Sequence, residues 1–366
     1  MRFSIQREVL LKPLQQVVGV IERRQTLPVL ANVHVQVRGN EVAFTGTDLD
    51  VEMVARAIVE DAEDGETTIP ARKFFDLVRA LPDGAGIALK QTGDKVTLQA
   101  GRSRYTLATL PATEFPTNDE VDLVDRVALP EATLKDLMDR TSFAMANQDV
   151  RYYLNGLLLD LREQSLRCVA TDGHRLALCE APLGTDVTGA RQIIIPRKGV
   201  GELAGLLESV DGAVELEIGR NHIRLRKAEV VFTSKLIDGR FPDYEAVVPI
   251  GADQVAHVPR EPLRAALSRA AILSNEKYRG VRLEFSPDRL RIVAHNPEQE
   301  EAVEELEVET AIADMVIGFN VGYLLDALGA LDSERVRLCL RDPQSSLLIQ
   351  DGEHDRIRHV VMPLRL

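Results

Sequence analysis

The strongest lone candidate for acid–base chemistry in this 366-residue chain is His174, in Thr171-Asp172-Gly173-His174-Arg175. A general base needs an orienting partner and a nucleophile within reach. Asp172, two residues away, shares a face with His174 if the segment is a strand. Asp-Gly is equally a turn signature, which places His174 along a packed groove, and no residue is read as catalytic. Phosphate motifs fail on spacing: Pro196-Arg197-Lys198-Gly199-Val200-Gly201-Glu202 lacks the GK[ST] end of a nucleotide loop. Gly84-Ala85-Gly86 lacks the third glycine of a dinucleotide fingerprint and reads as a turn. Glu298, Glu300, Glu301, Glu304 and Glu305 form an acidic run without the spacing of a calcium loop. The run reads either as a solvated face or as an acidic edge that meets Arg102 and Arg104 across a subunit joint. Cys168, Cys179 and Cys339 are odd in number and have no CxxC spacing, so neither disulfides nor zinc are expected. The chain is thus read as a non-enzyme with no metal and no cofactor.

With chemistry set aside, the bulk composition bounds the fold. A chain of 366 residues, 45% hydrophobic and 28% charged, is globular and long enough for two or three domains. Aromatics make up only 4%, with no Trp, so aliphatic residues must carry the cores. The first eight residues hold no apolar signal core, and charges interrupt each hydrophobic run before about 18 residues. No membrane association and a cytoplasmic location are expected. The net charge of −13 opposes nucleic-acid binding unless the basic residues are segregated.

Three kinds of segment recur, in one order, at a spacing of about 124 residues. A strand running into a turn occupies 45–50, 170–175 and 294–298. A strand leading into a helix occupies 68–75, 194–200 and 317–323. A closing segment occupies 109–116, 235–242 and 361–366. Each unit opens on a helical stretch: Val9-Leu10, Leu14 and Val17-Val18; Leu134, Leu137-Met138 and Thr141; Leu263, Ala266-Leu267 and Ala270. Pro13 predicts a late start or a kink in the first. A second helix follows in each (Phe74, Leu77-Val78, Leu81; Leu203, Leu206-Leu207; Leu324-Leu325, Leu328), between alternating strands such as Val33, Val35, Val37 and Val281, Leu283, Phe285. The class is α+β with antiparallel sheet.

The six helical stretches, taken as 8–19, 71–80, 131–143, 196–208, 260–272 and 320–331, hold 11 Lys and Arg against 9 Asp and Glu. The segregation is modest but has the sign DNA requires. Arg72 and Arg79 share a face opposite Phe75 and Val78, and Lys135, Arg140, Arg197, Lys198, Arg264 and Arg269 are available similarly. Two helices per unit give twelve in a ring of two chains. At about 9 Å between axes, less a helix diameter of about 10 Å, the hole is about 24 Å across, wide enough for hydrated duplex.

Collinear motifs then point to one family. Leu11-Lys12-Pro13-Leu14-Gln15-Gln16-Val17, Gly101-Arg102-Ser103-Arg104-Tyr105, Gln148-Asp149-Val150-Arg151-Tyr152-Tyr153-Leu154, Asp238-Gly239-Arg240-Phe241-Pro242-Asp243-Tyr244 and Val360-Val361-Met362-Pro363 all resemble the beta subunits of bacterial DNA polymerase III, the sliding clamps. The resemblance covers the whole chain. It implies a DNA-clamp fold with domains at 1–120, 127–248 and 255–366, each with two helices on antiparallel sheet, closing as a head-to-tail homodimer ring. It implies DNA contacts at Arg24, Arg72, Gln148, Tyr152 and Tyr153, and a dimer joint of Tyr105 and Leu107 against Ile272 and Leu273. A partner-peptide groove follows from Leu154, Thr171, Gly173, His174, Arg175, Leu176, Pro242, Val247, Asn320, Tyr323, Ser346, Val360 and Met362. Ala246 stands where the family favours a basic residue and Leu364 where Met is usual. Implied partners are double-stranded DNA, a second copy, a clamp loader, replicative and translesion polymerases, and repair proteins. The alternatives are an enzyme acting on DNA and a peptide-binding repeat scaffold that does not encircle it.

Overall fold

The structure, a computed structural model, describes residues 1–22, 27–116, 122–184, 190–310, 312, 314–352 and 354–365. Arg24 lies outside the described residues. Two compact units result, Met1–Ala132 with Gly201–Leu236, and Thr133–Val200 with Ile237–Leu366. Among the described residues there are six α-helices: α1 (Arg7–Val20), α2 (Ala71–Ala80), α3 (Glu131–Asp139), α4 (Arg197–Leu206), α5 (Arg260–Ile272) and α6 (Val321–Gly329). None is long and apolar enough to cross a membrane.

All strand pairing is antiparallel. The first unit holds a five-stranded sheet ending on strand Ser103–Ala108, and an eight-stranded sheet from Leu123–Pro130 to Gly65–Pro70. The second holds a nine-stranded sheet from Arg191–Pro196 to Glu309–Thr310, and a four-stranded sheet ending on Glu301–Glu307. The middle segment of the chain is shared between them. Its strand Val230–Lys235 pairs with Val51–Ile58 in the first unit, and its strand Arg175–Pro182 pairs with His354–Val361 in the second.

The repeat is visible in the bonding. Thr47 and Thr171 each give a hydroxyl hydrogen bond to the carbonyl four residues on, and Asp48 and Asp172 each accept two backbone N–H groups of the following turn. Asn296 takes the same place in the third copy, accepting from Glu300. At the start of α1, Arg7 donates to the carbonyls of Val78 and Arg79 that end α2. Arg260 does the same for Leu328 and Leu331 behind α6. In the middle copy Glu131 holds that position, and Lys227 bonds both its carboxylate and the Leu206 carbonyl that ends α4. The charge moves to another strand, but the carbonyls at the helix end, which lack partners of their own, are still met.

Leu10, Leu14, Val17 and Val18 of α1 are buried as their spacing predicts, whereas Val9 is 47% exposed. Helix α1 neither starts late nor avoids Pro13, which lies inside it and removes only the bond to the Val9 carbonyl. A Cβ on Gly46 would stand 2.7 Å from Val17, so glycine lets α1 lie close on its strand. Helix α3 ends at Asp139, short of residue 143, where the Thr141 hydroxyl takes the Leu137 carbonyl at 2.7 Å.

Candidate functional site

The basic helix residues are mostly committed within the chain. Arg72 is exposed on α2 but donates to the Ile21 carbonyl at 3.0 Å. Arg79 pairs with Asp76 and stacks its guanidinium 5.2 Å from the Phe75 ring, so Phe75 lies on the arginine side of α2, not opposite it. Arg140, Arg197 and Arg269 bond Asp136, the Met145 carbonyl and Glu304. They therefore hold structure together and do not form a free cationic stripe.

The loop at 146–155 is built differently. Gln148 has φ +56, Asp149 exchanges hydrogen bonds with Asn155, and the Ala146 amide donates to the Leu154 carbonyl. This rigid frame leaves Gln148 exposed, Val150 95% exposed and Tyr152 57% exposed, with Tyr153 edge-on to Tyr152 at 5.7 Å. Arg151 forks onto Asp149 at 3.0 and 2.8 Å, and this pulls the carboxyl down to about 2.

Arg151 also leans on Gly173, where φ is +88 and a Cβ would meet its guanidinium at 2.9 Å. The positive φ is what calls for glycine there, since the arginine tip could move aside. Asp172-Gly173-His174 is a turn, not a strand. The Asp172 carboxylate is taken by the amides of His174 and Arg175 and by Arg175 Nε, so it does not serve to orient the imidazole. Exposed His174 lines a cleft of about 400 Å³ with Asp149, Asp172, Arg175, Arg197 and Tyr323.

Arg175 is the hub of this wall. It reaches Asp326 on α6 at 2.5 Å and the Phe143 carbonyl at 2.9 Å, and its guanidinium lies 4.6 Å from the Tyr323 ring centre. Asn320 caps α6 by accepting from Gly322 and Tyr323, which fixes Tyr323 over Arg175. Burial raises the pKa of the Tyr323 phenol. Leu154, Thr171, Leu176 and Val360 are buried and do not line this cleft. Leu176 and Val360 share one apolar cluster with half-buried Val247, beside exposed Pro242. The closing tail is tied down beside these residues: the Met362 amide donates to the His174 carbonyl at 2.9 Å, Leu364 to Gly318 at 2.7 Å, and Ser346 Oγ lies 3.0 Å from Met362 Sδ. Phe143, Arg151 and Asp326 complete this arrangement, and no sequence signal singled them out, since their partners lie up to 151 residues away.

Tyr105 and Leu107 are half-buried on the edge strand Ser103–Ala108, next to exposed Arg102 and Arg104. In the other unit Ile272 is 78% exposed at the end of α5, followed by half-buried Leu273, and the edge strand Glu301–Glu307 shows Val303 at 45%. Part of the acidic run is paired locally, Glu304 with Arg269 and Glu305 with Arg289. Among the described residues no cluster of three or more His, Cys, Asp or Glu could hold a metal.

Comparison with known proteins matches three family models: the N-terminal, central and C-terminal domains of the DNA polymerase III beta subunit, over residues 1–119, 128–243 and 245–365. The beta sliding clamp of Pseudomonas aeruginosa is 53% identical over 367 residues, and that of Escherichia coli K12 is 51% identical, each match covering 100% of both chains. A crystal structure of the Pseudomonas aeruginosa sliding clamp bound to griselimycin superimposes with a TM-score of 0.97 at 53% identity, again over 100% of both chains. The fold is that of the three-domain DNA clamp, and the chain belongs to the DNA polymerase III beta subunit family, the beta sliding clamps.

Proposed function

We propose that the chain is a replicative sliding clamp: two copies close head to tail around duplex DNA and tether the polymerase without chemistry of their own. The observation that carries this reading is a pair of unpaired sheet edges of opposite charge. Strand Ser103–Ala108 carries Arg104 with Arg102 beside it, and strand Glu301–Glu307 carries Glu301, Glu305 and Glu307. Exposed edges invite pairing with another chain. Because the two edges are different surfaces, the contact is heterologous, and two such joints close a ring. Ile272, Leu273, Tyr105 and Leu107 would be its apolar centre.

The three-domain division at 1–120, 127–248 and 255–366 belongs to the same proposal. So do phosphate-directed contacts from Arg24, Arg72, Gln148, Tyr152 and Tyr153, which leave base sequence unread and allow sliding. The groove around Arg175, Leu176, Val247, Val360 and Met362 takes short peptides through a few apolar anchors. Griselimycin, bound by the Pseudomonas aeruginosa relative, is assigned to this groove. A clamp loader, translesion polymerases and repair proteins are the further partners, and the cytoplasm is the location. Native mass spectrometry tests closure: the 40.5 kDa chain should give a species of twice that mass. A monomer at micromolar concentration would contradict the ring and favour a peptide-binding scaffold that does not encircle DNA.

A further inference from the structure

Residues 237–253 contain no helix or strand, yet two of their aromatic side chains are almost wholly buried, Phe241 at 5% and Tyr244 at 3%. Both enter the cluster that holds Leu176 and Val360. A segment without ladder hydrogen bonds is positioned by such plugs and by side-chain bonds. The end of Tyr244 is polar and fully met. Its hydroxyl donates to buried Asp160 and accepts from Arg162 Nη2 at 2.9 Å and Arg167 Nη1 at 3.3 Å. Asp160 and Arg167 stand opposite each other on paired strands, and Arg162 returns Nε and Nη2 to Asp160 at 3.1 and 2.9 Å. At the rim Glu245 accepts from both arginines, at 3.1 and 2.6 Å. Burial, with the bond to Asp160, raises the Tyr244 pKa, so the phenol stays a donor at neutral pH. Three residues on, the Val247 amide donates to the Tyr244 carbonyl at 3.2 Å. The groove wall therefore hangs on this plug.

We propose that Tyr244 is a positioning residue for the peptide groove: its hydroxyl, seated on an acceptor at position 160, fixes the linker so that Pro242 and Val247 stand where an apolar anchor needs them. The proposal rests on the groove reading above. Tyr244 is assigned no contact with the peptide. Its action runs through backbone placement, since Pro242 and Val247 lie two and three residues from Tyr244 and have no sheet to hold them.

The test uses the full-length dimer with griselimycin as probe, and compares Tyr244→Phe with Asp160→Asn by calorimetric titration, melting temperature and hydrogen exchange over residues 241–248. Phenylalanine keeps the ring and loses the donor. Asparagine keeps an acceptor for the hydroxyl but loses the charge paired with Arg162, so it should lower Tm at least as much. The expected result is that Y244F weakens griselimycin about tenfold and speeds exchange of the Val247 amide. D160N should lower Tm yet stay within about twofold of the wild-type Kd. Wild-type affinity in Y244F, unchanged exchange in Y244F, or affinity that simply follows Tm in both variants would each overturn the positioning role. Wild-type protein that does not bind griselimycin would overturn the groove reading itself, a result separable from the exchange data.

Discussion

His359 gives the sharpest quantitative test of the packing. It lies in strand His354–Val361, 1% exposed, with Nε2 2.9 Å from the Arg140 carbonyl and its ring edge-on to Phe143 at 5.2 Å. Desolvation outweighs the bonds to carbonyls and pulls its pKa from 6.5 to about 4. The unfolded chain therefore takes up the proton first as pH falls. Stability contributed by the neutral ring is complete above pH 6.5 and is lost as pH falls from 6.5 to 4, with no further loss below. Each tenfold difference in proton affinity between the folded and unfolded chain is worth about 1.4 kcal/mol, so the whole effect is about 3 kcal/mol, of which about 2 kcal/mol is gone by pH 5. An NMR titration of the imidazole reads the midpoint directly. His359→Gln, which keeps an N–H for the Arg140 carbonyl, should flatten the decline in Tm between pH 6.5 and 4.5. A midpoint near 6.5, or a decline equally steep in the variant, would refute the argument from burial.

Three further outcomes follow from the surfaces. Ile272→Ala with Leu273→Ala should give folded monomers, since truncations costing about 2 kcal/mol each weaken each of the two joints about a thousandfold; native mass at dilute concentration reads this. Arg24→Ala with Gln148→Ala should impair loading on DNA more than dimerisation, and binding should fall steeply with salt and ignore sequence; Arg72→Ala should also lower Tm, because Arg72 holds the Ile21 carbonyl. Deleting residues 362–366 removes the bonds to His174 and Gly318, and should leave a folded ring that no longer binds a polymerase-derived peptide or stimulates the polymerase; unchanged peptide affinity or loss of the fold would show the tail has another role.

The repeat was legible because turn chemistry is local. The paired bonds of Thr47 with Asp48, and of Thr171 with Asp172, recur at a fixed offset that the residues alone announce. Helix faces were legible for the same reason, with lapses at Val9 and Phe75, where a residue adjoining the buried stripe sits at its margin. What spacing could not reveal was long-range pairing. The Arg175–Asp326 contact spans 151 residues, and Arg140, which bonds the Ala330 carbonyl, reads from sequence as one more surface charge of the helical stretch 131–143. Nor does a repeat announce that its middle copy divides its strands between two units, since that depends on which edges pair. The Tyr244 plug was invisible too. It lies in a linker without periodicity, where burial follows from the cavity that receives it.

Encirclement is the central claim, and topology tests it most directly. Protein loaded on a nicked circular duplex should remain bound through gel filtration in high salt and be released when the circle is cut once to a linear form. Retention that survives linearisation, or loss from the intact circle at the same rate, would contradict the ring.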